Sequence, residues 1–244
     1  MQKILFMLTG LVMDSQYKDN IRILSDYIKE LSTRYIVDVA CISGKDDFDV
    51  FEEILPFKYK IINPRKQLDK ICDFLYQCSE SYDWYVKIRQ EVKLLEQLDF
   101  EGLCPNSINA RARVYNGPLS VKNGSAVGGE GFLSYVHAIH YSPELKGIIL
   151  DDILYIFHRN LVEKGGFEPI TDEERGHREW YINNSFWNQH EWFHTGLWKS
   201  RKIPLNLVGF HVDFTHSGRR CISANVNVPP CPHPDSECPA FRIY

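Results

Sequence analysis

The chain opens on an unbroken apolar run, KILFMLTGL at 3–11, with no polar alternation. A strand reads this way when both of its faces are buried, as in a parallel sheet. A polar loop follows from Asp14 to Asp19. In NIRILSDYIKELSTRY, Ile21, Leu24, Ile28 and Leu31 then recur at helical spacing, with Asp19 or Asn20 available as N-cap. YIVDVACIS predicts a second strand, GKDD a turn and YKIIN a short third strand. PRKQLDKICDFLYQCSES predicts a helix opening on Pro64, with Leu68, Ile71, Cys72 and Leu75 inward. In SYDWYVKIRQEV, Trp84, Val86 and Ile88 alternate with Tyr85, Lys87 and Arg89. This is the pattern of a half-buried fourth strand, and it ends in charge, at Arg89-Gln90-Glu91. The β-α-β-(α)-β-α-β order predicts an α/β fold with a mostly parallel central sheet and flanking helices. Such sheets bind ligands at the carboxyl ends of their strands. Thr9-Gly10 and Arg89-Gln90-Glu91 both fall there, so the sequence aims them at one crevice.

Beyond residue 98 the pattern loosens. Residues 99 to 150 are rich in Gly, Asn and Ser and weakly periodic, as functional loops often are. DDILYIFHRNLVEKGG reads as a helix or a strand-to-helix passage that stops at Gly165-Gly166. Residues 171–200 read as largely helical, with Thr171 and Glu174 spaced as a capping box. IPLNLVGFHVDF predicts a strand, and the end, NVPPCPHPDSECPAFRIY, is rich in Pro and Cys. No internal repeat or low-complexity linker interrupts the chain. One domain with a C-terminal extension is the simplest organisation.

Composition narrows the functional classes. The 244 residues are 44% hydrophobic, enough for a sizeable core. A net charge of −4, from 28 basic and 32 acidic residues well mixed along the chain, gives no nucleic-acid or anionic-membrane footprint. No apolar run reaches the roughly 18 residues of a membrane-spanning helix. MQKILFMLTGLVM lacks a small-residue cleavage pattern and runs into Asp14, so it reads as the first buried strand and not a signal peptide. The seven cysteines are scattered, and Cys41, Cys72 and Cys78 sit inside apolar patterns. That suits a reducing compartment, and the expected location is cytoplasmic, in the producing or a host cell.

Several short motifs carry candidate chemistry, each with a plainer reading beside it. Gly10 after the first strand would let backbone N–H groups approach a ligand, although neither a GxGxxG nor a Walker A spacing is present. It is also simply a turn. Glu91 can hold Mg²⁺ or Mn²⁺ against a diphosphate, or Arg89 can meet phosphate directly. The two can equally be an ion pair at a solvated strand end. Asp151-Asp152 can bind an acceptor hydroxyl or act as a base, or can mark a helix N-terminus. Glu191 lies among Trp187, Trp192 and Trp198, where desolvation would raise its pKa toward that of a general base. Those tryptophans can stack on sugars or fill a core. HEWFH, 190–194, also matches H-E-x-x-H, the zinc-helix pattern, on a βαβ chain that is not the usual zincin context. Cys221, Cys231, His233 and Cys238 contain zinc-ligand types at a spacing that fits no standard finger.

Taken in order, the LTGLV turn, YDWYVKIRQEV, DDILYIFHRN and HEWFHTGLWKSRKI resemble small GT-A-type glycosyltransferases of bacterial polysaccharide clusters and large DNA viruses. The resemblance is spread over most of residues 3 to 205. It implies a Rossmann-like GT-A catalytic domain over 1–244, with a nucleotide-binding half at 1–98, an acceptor-binding half at 99–205 and an extension at 206–244. It also implies transfer of a sugar from a nucleotide-sugar donor to a glycan acceptor hydroxyl. Thr9, Gly10, Arg89 and Asp151 would then serve the donor. Glu91 falls where the group carries its metal motif, so a divalent cation, Mn²⁺ or Mg²⁺, is implied there. Glu191 falls at the position of the catalytic base of inverting members, with Asp152 as the second candidate. The chain departs from the pattern twice. Met13 replaces an arginine, and Arg89-Gln90-Glu91 replaces the usual acidic metal motif. The competing functions are a zinc-dependent hydrolase built on HEWFH and a non-catalytic glycan-binding protein.

Overall fold

The structure is a computed structural model that describes residues 1–115, 120–122, 125–127, 132–133, 147–175, 194, 197–198, 200–208, 210, 212–216 and 219–223. Its fold is α/β, with a mostly parallel central sheet and flanking helices, as the sequence predicts. The chain forms two compact units. The first comprises 1–108, 153–169 and 211–222, and the second 109–152, 170–210 and 223–244.

In the first unit, β1 (Lys3–Thr9) is followed by a 3-10 turn at Ser15–Tyr17 and α1 (Lys18–Leu31). Next come β2 (Ile36–Ser43), the single turn α2 (Asp49–Glu52), β3 (Tyr59–Ile62), α3 (Gln67–Gln77), β4 (Trp84–Arg89) and the short β5 (Val92–Leu94). Strand β1 runs parallel to both β2 and β4, with Phe6 opposite Val39 and Val86, and β2 runs parallel to β3. Ile4 to Leu8 are wholly buried, as the apolar run requires. Helix α1 turns Ile21, Leu24, Ile28 and Leu31 inward, and Tyr27 meets Phe6 edge-on at 6.2 Å between ring centroids. Helix α3 buries Leu68, Ile71, Cys72 and Leu75.

Three local expectations change. Neither Asp19 nor Asn20 caps α1, because the 3-10 turn starts the helix early; Asp14 caps that turn, accepting from the Gln16 amide at 3.0 Å. Helix α3 begins at Gln67 and not Pro64, since Asn63 Oδ1 accepts from the Arg65 amide and holds a turn first. Strand β4 is buried on both faces, not one. It lies between β1 and the antiparallel strand Gly147–His158 (β10), which pairs Tyr155 with Lys87 and Phe157 with Tyr85. Lys87 is fully buried, its ammonium 5.3 Å from the centre of the Tyr155 ring. Tyr85 stacks on Phe157 at 5.1 Å, and Phe157 on Phe167 at 3.8 Å. Aromatic partners on the polar-looking face convert an amphipathic pattern into a central strand.

The second unit contains β6 (Ile108–Tyr115), β7 (Ser120–Lys122), β8 (Ser125–Val127) and β9 (Phe132–Leu133), with β6 antiparallel to β9 and β7 to β8. Strand β10 (Gly147–His158) begins in this unit and ends in the first, so the passage is strand-to-helix. It leads into α4 (Arg159–Glu163), whose end is a left-handed turn at Gly165, φ 77°. Asp151-Asp152 therefore lies inside a strand and does not begin a helix. The capping box forms: Thr171 N donates to Glu174 Oε2 at 2.9 Å and Glu174 N to Thr171 Oγ1 at 3.2 Å. Arg201 clamps the same carboxylate with two bonds of 2.8 and 2.9 Å. The expected strand at 203–214 is two, β11 (Leu205–Leu207) and β12 (Val212–His216), and β13 (Arg219–Ser223) follows. Strand β12 pairs with β5. Among the described residues no helix is long and apolar enough to cross a membrane.

Candidate functional site at the carboxyl edge of the sheet

Strands β1 and β4 are parallel and in register, with Thr9 opposite Arg89. Parallel pairing thus brings the two charged or glycine-bearing ends to the same edge although 79 residues separate their contact, the 3.3 Å bond from Thr9 Oγ1 to Ile88 O. Gln67, at the start of α3, donates to Thr9 Oγ1 at 2.9 Å. The chain beyond Thr9 folds back on itself. A Cβ built on Gly10 would lie 3.0 Å from Met13 Cε and 3.2 Å from Gln90 Nε2, so close approach is what a glycine permits here.

Gln90 ties this turn to the end of β4. Its Oε1 accepts from Asp14 N at 2.8 Å, its Nε2 donates to Val12 O at 2.6 Å, and its carbonyl accepts from Asn20 Nδ2 at 3.2 Å. The residue is only 5% exposed. The flanking pair is equally fixed: Arg89 Nη2 donates to Glu91 Oε1 at 2.7 Å and Nε to Oε2 at 3.3 Å. Such a fork of two parallel bonds is the strong form of the pair. Tyr17 stands beside it, its phenol pushed up first by burial and then by the Glu91 and Asp14 carboxylates.

Two residues of this edge have no motif that singles them out in the sequence. Lys70, one turn into α3, is 2% exposed and donates to Gly10 O at 2.8 Å. Burial pushes its pKa down, while Asp47 opposes the shift. Asp47 Oδ2 accepts from Met13 N at 2.8 Å, and its buried Oδ1 has no hydrogen-bond partner. Gln90 was visible only as the middle of a charged triplet. Amide side chains that hold a distant loop leave no periodic or compositional trace, so no sequence pattern would have found them.

Asp152 is buried in β10, and Asp151 is its neighbour in the same strand. Glu191, His190, Trp187 and Trp192 fall outside the described residues, as do Cys231, His233 and Cys238. His194 and Trp198 are buried, so Trp198 fills a core and offers no exposed face to a sugar. The cysteines Cys41, Cys72, Cys78 and Cys104 are not joined in disulfides, and burial pushes Cys41 up to about 12. Among the described residues no group of three or more His, Cys, Asp or Glu side chains could hold a metal ion. Arg89 takes one lone pair on each Glu91 oxygen, and the second lone pair of each is what a hard cation would use there.

No family model matches the chain, and no curated protein matches it. Solved structures do. A 4-diphosphocytidyl-2C-methyl-D-erythritol synthase from Anaerococcus prevotii is 10% identical, with 92% of each chain covered and a TM-score of 0.49. The glycosyltransferase GlyE of Streptococcus pneumoniae is 10% identical over 85% of this chain and 45% of its own, with a TM-score of 0.44. A CMP:2-keto-3-deoxy-manno-octonic acid synthetase complexed with CTP is 12% identical over 84% and 88%, with a TM-score of 0.42. With TM-scores below 0.5, these likenesses carry no weight for the chemistry of this chain.

Proposed function

We propose that the protein is a GT-A-type glycosyltransferase that moves a sugar from a nucleotide-sugar donor to a glycan acceptor hydroxyl. The observation that carries this reading is the convergence of the Thr9–Asp14 turn and Arg89-Gln90-Glu91 at the carboxyl edge of a parallel sheet. Gln90 locks the two together there. Open α/β sheets take their ligands at this edge. Thr9 and Gly10 line the donor site, and Arg89 meets the donor's phosphates with a guanidinium already oriented by Glu91. Asp151 belongs to the donor-binding set by its motif. Glu191 takes the proton of the acceptor hydroxyl as that oxygen attacks the anomeric carbon, the bond from that carbon to the donor's phosphate oxygen breaks and the nucleotide leaves with the bonding electrons; Asp152 is the second candidate base. A single in-line displacement of this kind inverts the anomeric configuration.

A thermal-shift panel of UDP-, GDP-, CDP- and dTDP-sugars, with and without Mn²⁺, tests the reading. Stabilisation by one nucleotide class is expected, since a ligand that binds the folded chain raises its melting temperature. A chain that no nucleotide sugar stabilises, yet which carries one tightly held zinc, would be a hydrolase built on HEWFH instead. Glycan binding without nucleotide-sugar binding would mark a non-catalytic protein. Replacing the base, Glu191→Gln, should abolish transfer and leave donor binding intact; full turnover in that variant would remove Glu191 from the mechanism.

A further inference from the structure

The backbone of the turn after β1 is accounted for almost group by group. Gly10 N donates to Ile42 O at 3.2 Å, Met13 N to Asp47 and Asp14 N to Gln90. The three successive carbonyls are all taken: Gly10 O by the Lys70 ammonium, Leu11 O by Gly44 N at 3.1 Å, and Val12 O by Gln90 Nε2. Among the described residues, the N–H groups of Leu11 and Val12 donate to no protein acceptor. Both residues are exposed, at 70% and 39%. A buried unpaired N–H would be costly, and the exposure of both residues is what two donors without a protein acceptor require. The turn therefore offers a ligand two consecutive donors, with its acceptors occupied.

Behind these donors sits a cation. Lys70 binds the carbonyl of the same peptide unit whose N–H belongs to Leu11. An ammonium on a peptide oxygen draws electron density from the nitrogen and makes that N–H a stronger donor, as hydrogen-bonded chains do when they polarise one another. Lys70 is itself buried and its charge is met by the nearby Asp47 carboxylate, so it acts on the turn through the Gly10–Leu11 peptide it polarises. No side chain on Gly10 obstructs the approach, and Gly44 lets the Leu11 carbonyl turn inward: a Cβ on Gly44 would be 2.5 Å from that oxygen.

We propose that the Leu11–Val12 amides, backed by the buried Lys70 ammonium, form a phosphoryl-binding site. The class of ligand follows from two consecutive unpaired amide donors, one of them polarised by an ammonium on its own peptide oxygen, and diphosphate matches two adjacent donors. Lys70 is a positioning residue here, since it acts through the Gly10–Leu11 peptide and does not reach the ligand. The proposal rests on the glycosyltransferase reading only for its natural ligand, the diphosphate of the nucleotide donor. Arg89 and this turn would then grip that group from two strand ends.

The test is an amide ¹H–¹⁵N titration of the full chain with inorganic pyrophosphate, UDP, GDP, uridine and guanosine, with affinities measured by calorimetry. Pyrophosphate and one nucleoside diphosphate should shift the Leu11 and Val12 resonances, and the nucleosides should not. Lys70→Met should weaken diphosphate binding about tenfold while nucleoside affinity holds, and Lys70→Arg should retain most of it. Leu11 and Val12 amides unmoved by pyrophosphate and diphosphates in the wild-type chain would overturn the site, whatever the variants do. Equal losses for nucleoside and diphosphate in Lys70→Met would overturn the role of Lys70. The two readings separate cleanly. If pyrophosphate moves these amides but no nucleotide sugar binds, the anion site stands and the glycosyltransferase falls. If nucleotide sugars bind without moving them, the reverse holds.

Discussion

Replacing Gln90 tests whether one amide side chain couples the two halves of the site. In Gln90→Leu the Val12 carbonyl and the Asp14 N–H lose their partners at a position only 5% exposed. Each lost bond is worth on the order of 1 kcal/mol net and up to about 3 where the remaining group stays dry. The variant should thus be about 2–4 kcal/mol less stable than wild type, by the same amount at every pH from 4.5 to 8. Gln90→Glu behaves differently. Its carboxylate can still accept from Asp14 N, but at 2.6 Å from Val12 O an ionised oxygen meets an acceptor. The bond survives only when the introduced carboxyl is protonated, so folding raises its pKa above the ordinary carboxylate value of about 4.3. Between the unfolded and folded pKa the native state binds more protons, and stability falls as pH rises. The slope is about 1.4 kcal/mol per pH unit until the folded pKa is passed. Urea unfolding of the two variants and wild type, compared at each pH, reads this directly. A Gln90→Glu penalty that stays flat with pH would show that Nε2 does not donate to Val12, and the latch would be gone.

Other perturbations reach the same framework. Gly44→Ala places a methyl 2.5 Å from a backbone oxygen that cannot swing aside, and should cost about 2 kcal/mol in urea unfolding; a silent substitution would mean Leu11 is not held there. His158 caps α4 by accepting from Asn160 N at 3.2 Å, and burial pushes its pKa below the ordinary 6.5. The unfolded chain then binds the extra proton first, so stability should drop as pH falls below about 6.5. His158→Asn, which keeps a capping acceptor, should lessen that dependence relative to wild type. Burial opposes ionisation of Glu174, yet Arg201 and the Thr171 amide hold its carboxyl below the usual range. Its contribution is present above the unfolded pKa and lost in acid, and Glu174→Gln should flatten the acid limb of the stability profile below about pH 4.5.

The fold was legible because burial on two faces writes itself into KILFMLTGL, and helical spacing into Ile21 through Leu31. Both signals are periodic and local. What stayed hidden was never local. Trp84 to Arg89 alternates like a half-buried strand, and only the arrival of Tyr155 and Phe157 from β10 buries Tyr85 and Lys87 as well. Asp151-Asp152 has the composition of a helix start, but its apolar flanks on both sides pair in a strand of 12 residues. The site divides in the same way. That Thr9-Gly10 and Arg89 share an edge follows from parallel topology, which the element order contains. That Lys70, Asp47 and Gln90 hold the turn between them depends on contacts 34 to 78 residues apart, which no spacing rule encodes.

The Arg89–Glu91 fork poses the last question in a form that mutation can answer. The two side chains are 20% and 10% exposed, so the pair is largely out of water. Removing one partner of such a pair leaves a charge without its match and costs about 3–5 kcal/mol when fully buried, somewhat less at this exposure; removing both can cost little. Arg89→Met should therefore be more destabilising than Arg89→Met with Glu91→Leu. If so, the fork is a device for aiming the guanidinium, and stability alone does not explain it. Arg89→Met also returns both Glu91 oxygens to the solvent side of the edge, where a hard cation can use them. Millimolar Mn²⁺ should then raise the melting temperature of Arg89→Met and leave Arg89→Met/Glu91→Leu unchanged. A double variant less stable than the single would mean the two residues act independently. Wild-type chain that responds to Mn²⁺ as strongly as Arg89→Met would mean that the fork opens readily, and that the carboxylate, not the guanidinium, meets the diphosphate.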